Sequence, residues 1–397
     1  MKKVIKISTA LLITLTVIFQ FSGCSQNEYN IEINNGEVTI VDYVGSARDV
    51  EIPEQIEGYP VTCIGQRAFS PSPEDEDLDL GSVESVKIPG SVKIIDTDAF
   101  ANCGSLENVT IQNGLETIGF AAFEDCEMLE SISIPASAQN VESNAFEGCS
   151  SLHEIDVDRQ NTYYSSSNGI LYDKEKKALL SCPQDNPVKD LIVPDGVTSI
   201  NEGAFENCHN LVSVTMPESL ISISCYAFSE CKSLETVKMP DNVLLIGNSA
   251  FSSCESLVNI QLSKNLKIIG DYVFGSCSAL RKITIPDSVI SLGSDAFCCC
   301  ESLRSVTISA SMSIIDDSTF AGCTSLTSMI IPQNVMVIGD YSFESCESLK
   351  TIQLPNNLQW IGRSAFEDCE TLENINIPAS TALGYRVFAG CDKLQSQ

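Results

Sequence analysis

CKSLETVKMPDNVLLIGNSAF, residues 231–251, is all but two residues of one period of a repeat. Leu234, Val237 and Met239 follow the spacing Leu-x-x-Leu-x-Leu, and the alternation predicts a short strand with these side chains inward. Pro240 has no N–H, so it ends the ladder at one edge and the chain must turn there. The Phe that closes the unit stands at 100, 123 and 146, then at 205, 228, 251, 274, 297, 320, 343 and 366, and finally at 388, one residue early. A fixed period of 23 residues signals a solenoid, whose units bury their apolar side only against their neighbours, so one isolated unit does not fold.

The other columns have physical roles of the same kind. Pro recurs at the strand exit, as in Pro89, Pro135, Pro194, Pro217, Pro286, Pro332, Pro355 and Pro378. Four residues before the Phe stand Gly65, Asp96, Gly119, Asn201, Ser224, Gly247, Gly270, Gly293, Asp316, Gly339 and Gly362, types that accept a left-handed turn or cap a short helix. The Ala-Phe-x-x-Cys segment is accordingly expected to be a helical turn, its Phe and Cys stacking inward coil on coil.

The Cys-x-Ser-Leu, Ile-Pro, Ile-Gly and Ala-Phe pattern resembles the BspA-like leucine-rich repeat surface proteins over about residues 45–394. Twelve cysteines, each three residues after a column Phe, from Cys103 to Cys391, carry the likeness. The resemblance implies a surface-exposed role in adhesion or protein binding, without catalysis. The expected fold is an α/β repeat solenoid, β-dominated and right-handed, with one parallel sheet and short helical turns. About fourteen coils at a strand spacing of about 4.8 Å make a rod about 65 Å long.

Two places break the period. Between Phe69 and Phe100 the excess residues form an acidic loop, 70–81, and between Phe146 and Phe205 the segment 158–187 reads as a hairpin inserted in the array. Both are expected to protrude. Residues 30–64 look like an N-terminal β cap, which covers a first coil, and the solenoid is taken as 45–397.

Residues 1–23 read as an export signal: Lys2, Lys3 and Lys6 precede a mostly apolar run from Ile7 to Phe21 that is short for a membrane span. Phe21-Ser22-Gly23-Cys24 resembles the lipobox of bacterial lipoproteins, which implies a lipid on Cys24 and an anchor segment 24–44 leading into the cap. The resemblance places the chain outside the cytoplasm, held to the bacterial cell membrane by that lipid alone. Phe21 stands where the lipobox prefers Leu.

The 397 residues are 43% hydrophobic and 19% charged, enough apolar material for a folded body. A formal net charge of −30 repels phosphate backbones, so nucleic acid is excluded as a partner. His153 and His209 are the two histidines in the chain, little material for His-based catalysis or a His-rich metal site. No nucleophile elbow, phosphate loop, dinucleotide fingerprint or His-Glu zinc motif occurs, so neither an enzyme nor a cofactor is expected. Acid clusters such as Glu124, Asp125, Glu127 and Glu130 lack the calcium-loop glycine and read as a solvated face.

Eighteen cysteines in an exported chain ordinarily mean disulfides. Here twelve share one repeat position, and an in-register ladder points their Cβ vectors alike, so a buried ladder of free thiols is expected. Cys63, Cys182, Cys225, Cys298 and Cys299 lie off it, and no second Cys-x-x-Cys arm exists to complete a metal site.

The outward strand positions are the candidate ligand face. Across eleven coils, seventeen of these twenty-two positions are Ser, Thr, Asn or Gln. The selected residues are Thr236, Asn259, Gln261, Thr284, Ser305, Thr307, Thr351, Gln353, Asn374 and Asn376. None of the twenty-two is aromatic or Arg, the types that dominate interface hot spots, so a weak, hydrogen-bonding, avidity-dependent contact with an extracellular protein or glycan is expected. Two alternatives stay open. The row can be a polar ladder that only keeps the sheet soluble, in a spacer or envelope scaffold without a ligand, or contact can lie at the insertion around Tyr163, Tyr164 and Tyr172.

Overall fold

The computed structural model describes residues 28–71 and 83–394, which wind as a β-solenoid of about fifteen turns. The export segment 1–23, Cys24 and residues 72–81 of the acidic loop lie outside the described residues.

Each coil has three sides. On the first, Thr236–Lys238 pairs in parallel with Ser213–Thr215 before it and Asn259–Gln261 after it, its Val237 turned inward. The chain turns at Pro240 and becomes extended again, and Leu245–Ile246 pairs in parallel with Ser222–Ile223 and Ile268–Ile269. The single sheet expected from the sequence is therefore two stacks of parallel strands, because the stretch between Pro240 and Gly247 also buries one edge, through Val243 and Ile246, and leaves the other outside.

The third side corrects the expected helical turns: no described residue is helical. Ser249 and Ser253, two residues either side of Phe251, are left-handed at φ 56° and 54°. The same positions around Phe274 and Phe343 hold Tyr272, Ser276, Tyr341 and Ser345, all with positive φ. Left-handed residues reverse alternate peptide planes. Phe251 N–H therefore donates to Val273 O of the next coil at 2.9 Å, while Cys254 N–H donates back to Phe251 O. A helix would spend every amide inside its own coil and leave nothing to join the coils.

The glycine four residues before the Phe also has a different role from the expected turn or cap. Gly270 and Gly293 are not left-handed. A Cβ at Gly293 would stand 2.3 Å from Asp271 Oδ1 and 2.5 Å from Asp271 N. That carboxylate accepts the N–H of Ser294, as Asn248 Oδ1 accepts the N–H of Asp271. Glycine is needed there because a side chain of the preceding coil occupies the space.

Inside, the Phe rings stack at centroid separations such as 5.1 Å for Phe228–Phe251 and 5.7 Å for Phe251–Phe274. At the N-terminal end the hairpin Tyr29–Asn34 and Glu37–Tyr43, turned at Asn35-Gly36, covers the first coil, and Tyr43 heads the column by stacking on Phe69 at 4.9 Å. The cysteines of the column are free. They are also donors: Cys254 Sγ lies 3.1 Å from Phe228 O and Cys277 Sγ 3.1 Å from Phe251 O, a geometry repeated along the array. Burial pushes Cys277 up to about 12, which keeps the thiol protonated.

Phe146 does not stack on Phe205, and the core divides there into two clusters. The segment 158–187 was expected to protrude; it lies in line with the coils instead. Tyr164–Ser167, Ile170–Asp173 and Ala178–Ser181 form an antiparallel meander whose last strand pairs in parallel with Ser199–Ile200. Leu171 is buried in the N-terminal core, and Ile170 and Tyr172 in the C-terminal one. The strand is apolar on both faces because it serves as a partition.

Candidate functional site

The strands bring the ten predicted face residues to the outer surface, all exposed. Thr236 pairs with Asn259, Thr284 with Thr307 and Thr351 with Asn374. Asn376 follows the strand Asn374–Ile375. They belong to two sheets, since the ladder ending at Ser305–Thr307 is not continued by Ser328–Ile330. Exposed apolar residues occupy outward positions of this row, Ile192 at 76% on its first strand and Ile330, in register with Gln353, at 68% exposure.

The second side carries what the first lacks. Leu245, Ile268, Ile314 and Trp360 stand outward on the short strands, with Leu245 in register with Ile268, and Val337 between Ile314 and Trp360. Ile221, Leu244, Ile290 and Met336, one residue earlier in their coils, form a parallel row, and Ile290 is 67% exposed. Backbone bonds hold this row coil to coil, from Leu244 N–H to Ile221 O and from Ile290 N–H to Lys267 O. The result is a mainly apolar stripe along the C-terminal half, interrupted at Lys267, Ser291 and Ser313, with the chain's single Trp near its far end. Carboxylates border it at Glu218, Asp241 and Asp287 on one edge and at Asp271, Asp317 and Asp340 on the other. Lys264 is paired with Asp241, and Arg363 lies 3.9 Å from Asp340.

Sequence reasoning missed this stripe, although a signal existed. Val243-Leu-Leu-Ile246 and Val335-Met-Val-Ile338 are unbroken apolar runs, and a strand buried on one side cannot place all four residues inside.

A third feature sits where the core divides. A cleft of about 270 Å3 has a floor of Val141, Ala145, Phe146, Leu171 and Leu180 and a rim that includes Glu142, Glu147, Glu202 and Glu206. Burial, followed by the charges of Glu147, Glu230 and Glu202, pushes Glu206 up to about 7. Burial and then Asp125 raise Glu147. The described residues include no group of three or more His, Cys, Asp or Glu able to hold a metal ion. His153 and His209 are both exposed.

The cleft gives a pH prediction. The folded carboxyl of Glu206 ionises above its unfolded counterpart, which titrates near 4.3. Its contribution to stability is therefore fully present below about pH 4 and is lost as the pH rises through about 7. Calorimetry should show the melting temperature rising from pH 8 to pH 5, with Glu206→Gln more stable than the parent at pH 8 and flatter across that range. An unchanged slope in the variant would refute the assignment.

Comparison with known proteins follows the repeat. A family model described as BspA type leucine rich repeat region matches residues 74–168, 181–300 and 267–395. The chain is 28% identical to a leucine rich cell surface protein of Faecalibacterium prausnitzii, with TM-score 0.57 over 91% of this chain and 94% of that one. It is 27% identical to a leucine-rich repeat protein of Bacteroides ovatus, with TM-score 0.58 over 95% and 94% of the two chains. A leucine-rich repeat protein of Eubacterium ventriosum shares the fold at 19% identity and TM-score 0.54, over 92% and 93%. Among curated proteins nothing matches.

Proposed function

Because the chain belongs to the BspA-type leucine-rich repeat family, whose members suggest a binding or scaffold role, we propose that it is a non-catalytic, adhesion-type recognition module. It acts outside the cytoplasm, tethered to the cell membrane by a lipid on Cys24, and its partner is an extracellular protein. The observation that carries this reading is the apolar stripe with Trp360. A run of clustered exposed apolar side chains on a folded protein marks an interaction site, and Trp is among the side chains that anchor interfaces most strongly. The carboxylates along both edges favour a partner whose apolar contact is flanked by Lys or Arg, and they repel a second copy of this chain.

The amide- and hydroxyl-rich row of the first side, broken by Lys238, Lys282 and Ile330, supports a second reading, a glycan held weakly at many points through residues such as Asn259, Gln261, Thr351 and Gln353.

The test is a screen of the full chain, displayed multivalently, against extracellular matrix proteins, mucin, polysaccharides and whole bacterial cells. For a protein hit, Leu245→Ser, Ile268→Ser and Trp360→Ala combined should weaken binding by about tenfold or more, a loss of at least about 1.4 kcal/mol. Because Trp360 is the chain's one Trp, engagement should also shift its fluorescence to the blue. A polysaccharide hit lost on substitution of Asn259, Gln261, Thr351 and Gln353 would favour the glycan reading. Silence against every class would leave the chain a spacer.

A further inference from the structure

Two thiols differ from the buried column. Cys298 and Cys299 follow Phe297 on the third side of its coil, Cys299 exposed and Cys298 half-buried. Their sulfurs face each other at 3.5 Å, whereas Cys300 beside them donates inward to Phe274 O. In five other coils the residue after the Phe is a glutamate, as in Glu124, Glu206 and Glu344, and in the rest it is Ala, Ser or Gly. Here the coils above and below present small residues. Ser276 N–H donates to Cys298 O, and Cys299 N–H to Ala321 O, both at 2.7 Å. Gly322 leaves open the space beside Cys299, since even a Cβ there would come within 3.4 Å of the Cys299 sulfur. The pair is accessible, adjacent and unobstructed.

We propose that Cys298 and Cys299 form a reversible redox site, oxidised to a vicinal disulfide by exchange with a small organic disulfide of the cystine or glutathione class. The exposed Cys299 gives its proton to water, and its thiolate attacks one sulfur of the small disulfide. That S–S bond breaks, and the first small thiolate leaves and takes up a proton. Cys298 then loses its proton to water and attacks Cys299 Sγ, expelling the second small thiolate, which is also protonated. Two protein thiols are oxidised, one small disulfide is reduced to two thiols, and no metal or oxygen enters the balance.

The chemistry of the product makes it a switch. Consecutive Cα atoms are 3.8 Å apart across a trans peptide, below the ~4.4–6.8 Å span of ordinary disulfides. Strained disulfides of this kind are the readily reduced ones. The ring contains the peptide bond whose N–H, of Cys299, binds one neighbouring coil and whose carbonyl, of Cys298, binds the other, so oxidation strains the third side of the array at that point.

The experiment incubates the folded full chain with oxidised glutathione, quenches in acid and maps the cysteine peptides by mass spectrometry. The peptide carrying 298–300 should lose two hydrogens and regain them with dithiothreitol, oxidising at least about tenfold faster than the buried column thiols. Cys298→Ser should stop at a glutathione adduct on Cys299. Cys300→Ser, which keeps a donor for Phe274 O, should still form the disulfide. A stable adduct on Cys299 in the parent chain, no reaction at either thiol, or a bond that requires Cys300 would overturn the proposal.

Discussion

Phe251→Ala is expected to destabilise the array by about 3–5 kcal/mol, the cost of truncating a fully buried aromatic side chain in a core that cannot collapse around the void. Phe251 has no exposed surface and stacks on a ring at either side, 5.1 Å from Phe228 and 5.7 Å from Phe274. The substitution removes two stacking contacts together with the apolar burial, each of the former adding about 0.5–1.5 kcal/mol. It also acts between coils. In a repeat array stability is the sum of unit terms and nearest-neighbour terms, so weakening both interfaces of one central coil should uncouple the coils on either side. Urea unfolding followed by circular dichroism should show a lower midpoint and a shallower or split transition. A single transition of unchanged midpoint would mean that backbone ladders, not rings, hold neighbouring coils together.

Asn161→Ala should cost about 2–4 kcal/mol, although it removes only a small polar side chain. Asn161 is completely buried. Its Nδ2 donates to Pro135 O and Ala138 O, both at 2.9 Å, and its Oδ1 accepts from Tyr163 N and Tyr164 N at 2.8 Å. One amide therefore ties the start of the partition meander to the preceding coil; Ala would take this partner from the buried Ala138 O and from the half-buried Tyr163 and Tyr164 N–H groups, and one of two from Pro135 O, which keeps Ala138 N–H. Hydrogen exchange should increase first between residues 158 and 187. Asn161→Asp should be worse than Ala, because its carboxylate would face two carbonyl oxygens. Retained protection in both variants would contradict this account.

Asn161 also shows where sequence reading ends. The 23-residue period, the inward Phe and Cys, the Pro turns and the free state of the thiols could all be read from the chain, because periodicity reports which side chains face inward. It does not report where a backbone amide finds its partner. The segment around Phe251 reads as helical because the residue types four before the Phe can cap a short helix, yet its amides alternate between its own coil and the next. The donor role of each Cys was hidden for the same reason, since its acceptor belongs to the preceding coil.

The candidate surface was read unevenly. Thr351, Gln353 and their neighbours were placed correctly on an outer face because strict alternation fixes a strand's two sides. The stripe through Leu245, Ile268 and Trp360 went unread because apolar residues were all assigned to the core. The insertion was recognised by its broken period. Its burial was not, because Ile170, Leu171 and Tyr172 serve two cores at once.

The hydrogen bonds that join one coil to the next have a kinetic consequence. Phe251 N–H reaches residue 273, Gly247 N–H reaches residue 223 and Cys254 Sγ reaches residue 228, so nearly every tertiary partner lies about one period away whatever the total length. The closure entropy of each step is that of a short loop, and relative contact order falls as units are added instead of rising with chain size. Folding can therefore begin at any well-formed pair of coils and spread outward. A gene encoding such a chain can gain or lose whole 23-residue units while every surviving coil keeps the neighbours its side chains were selected to meet.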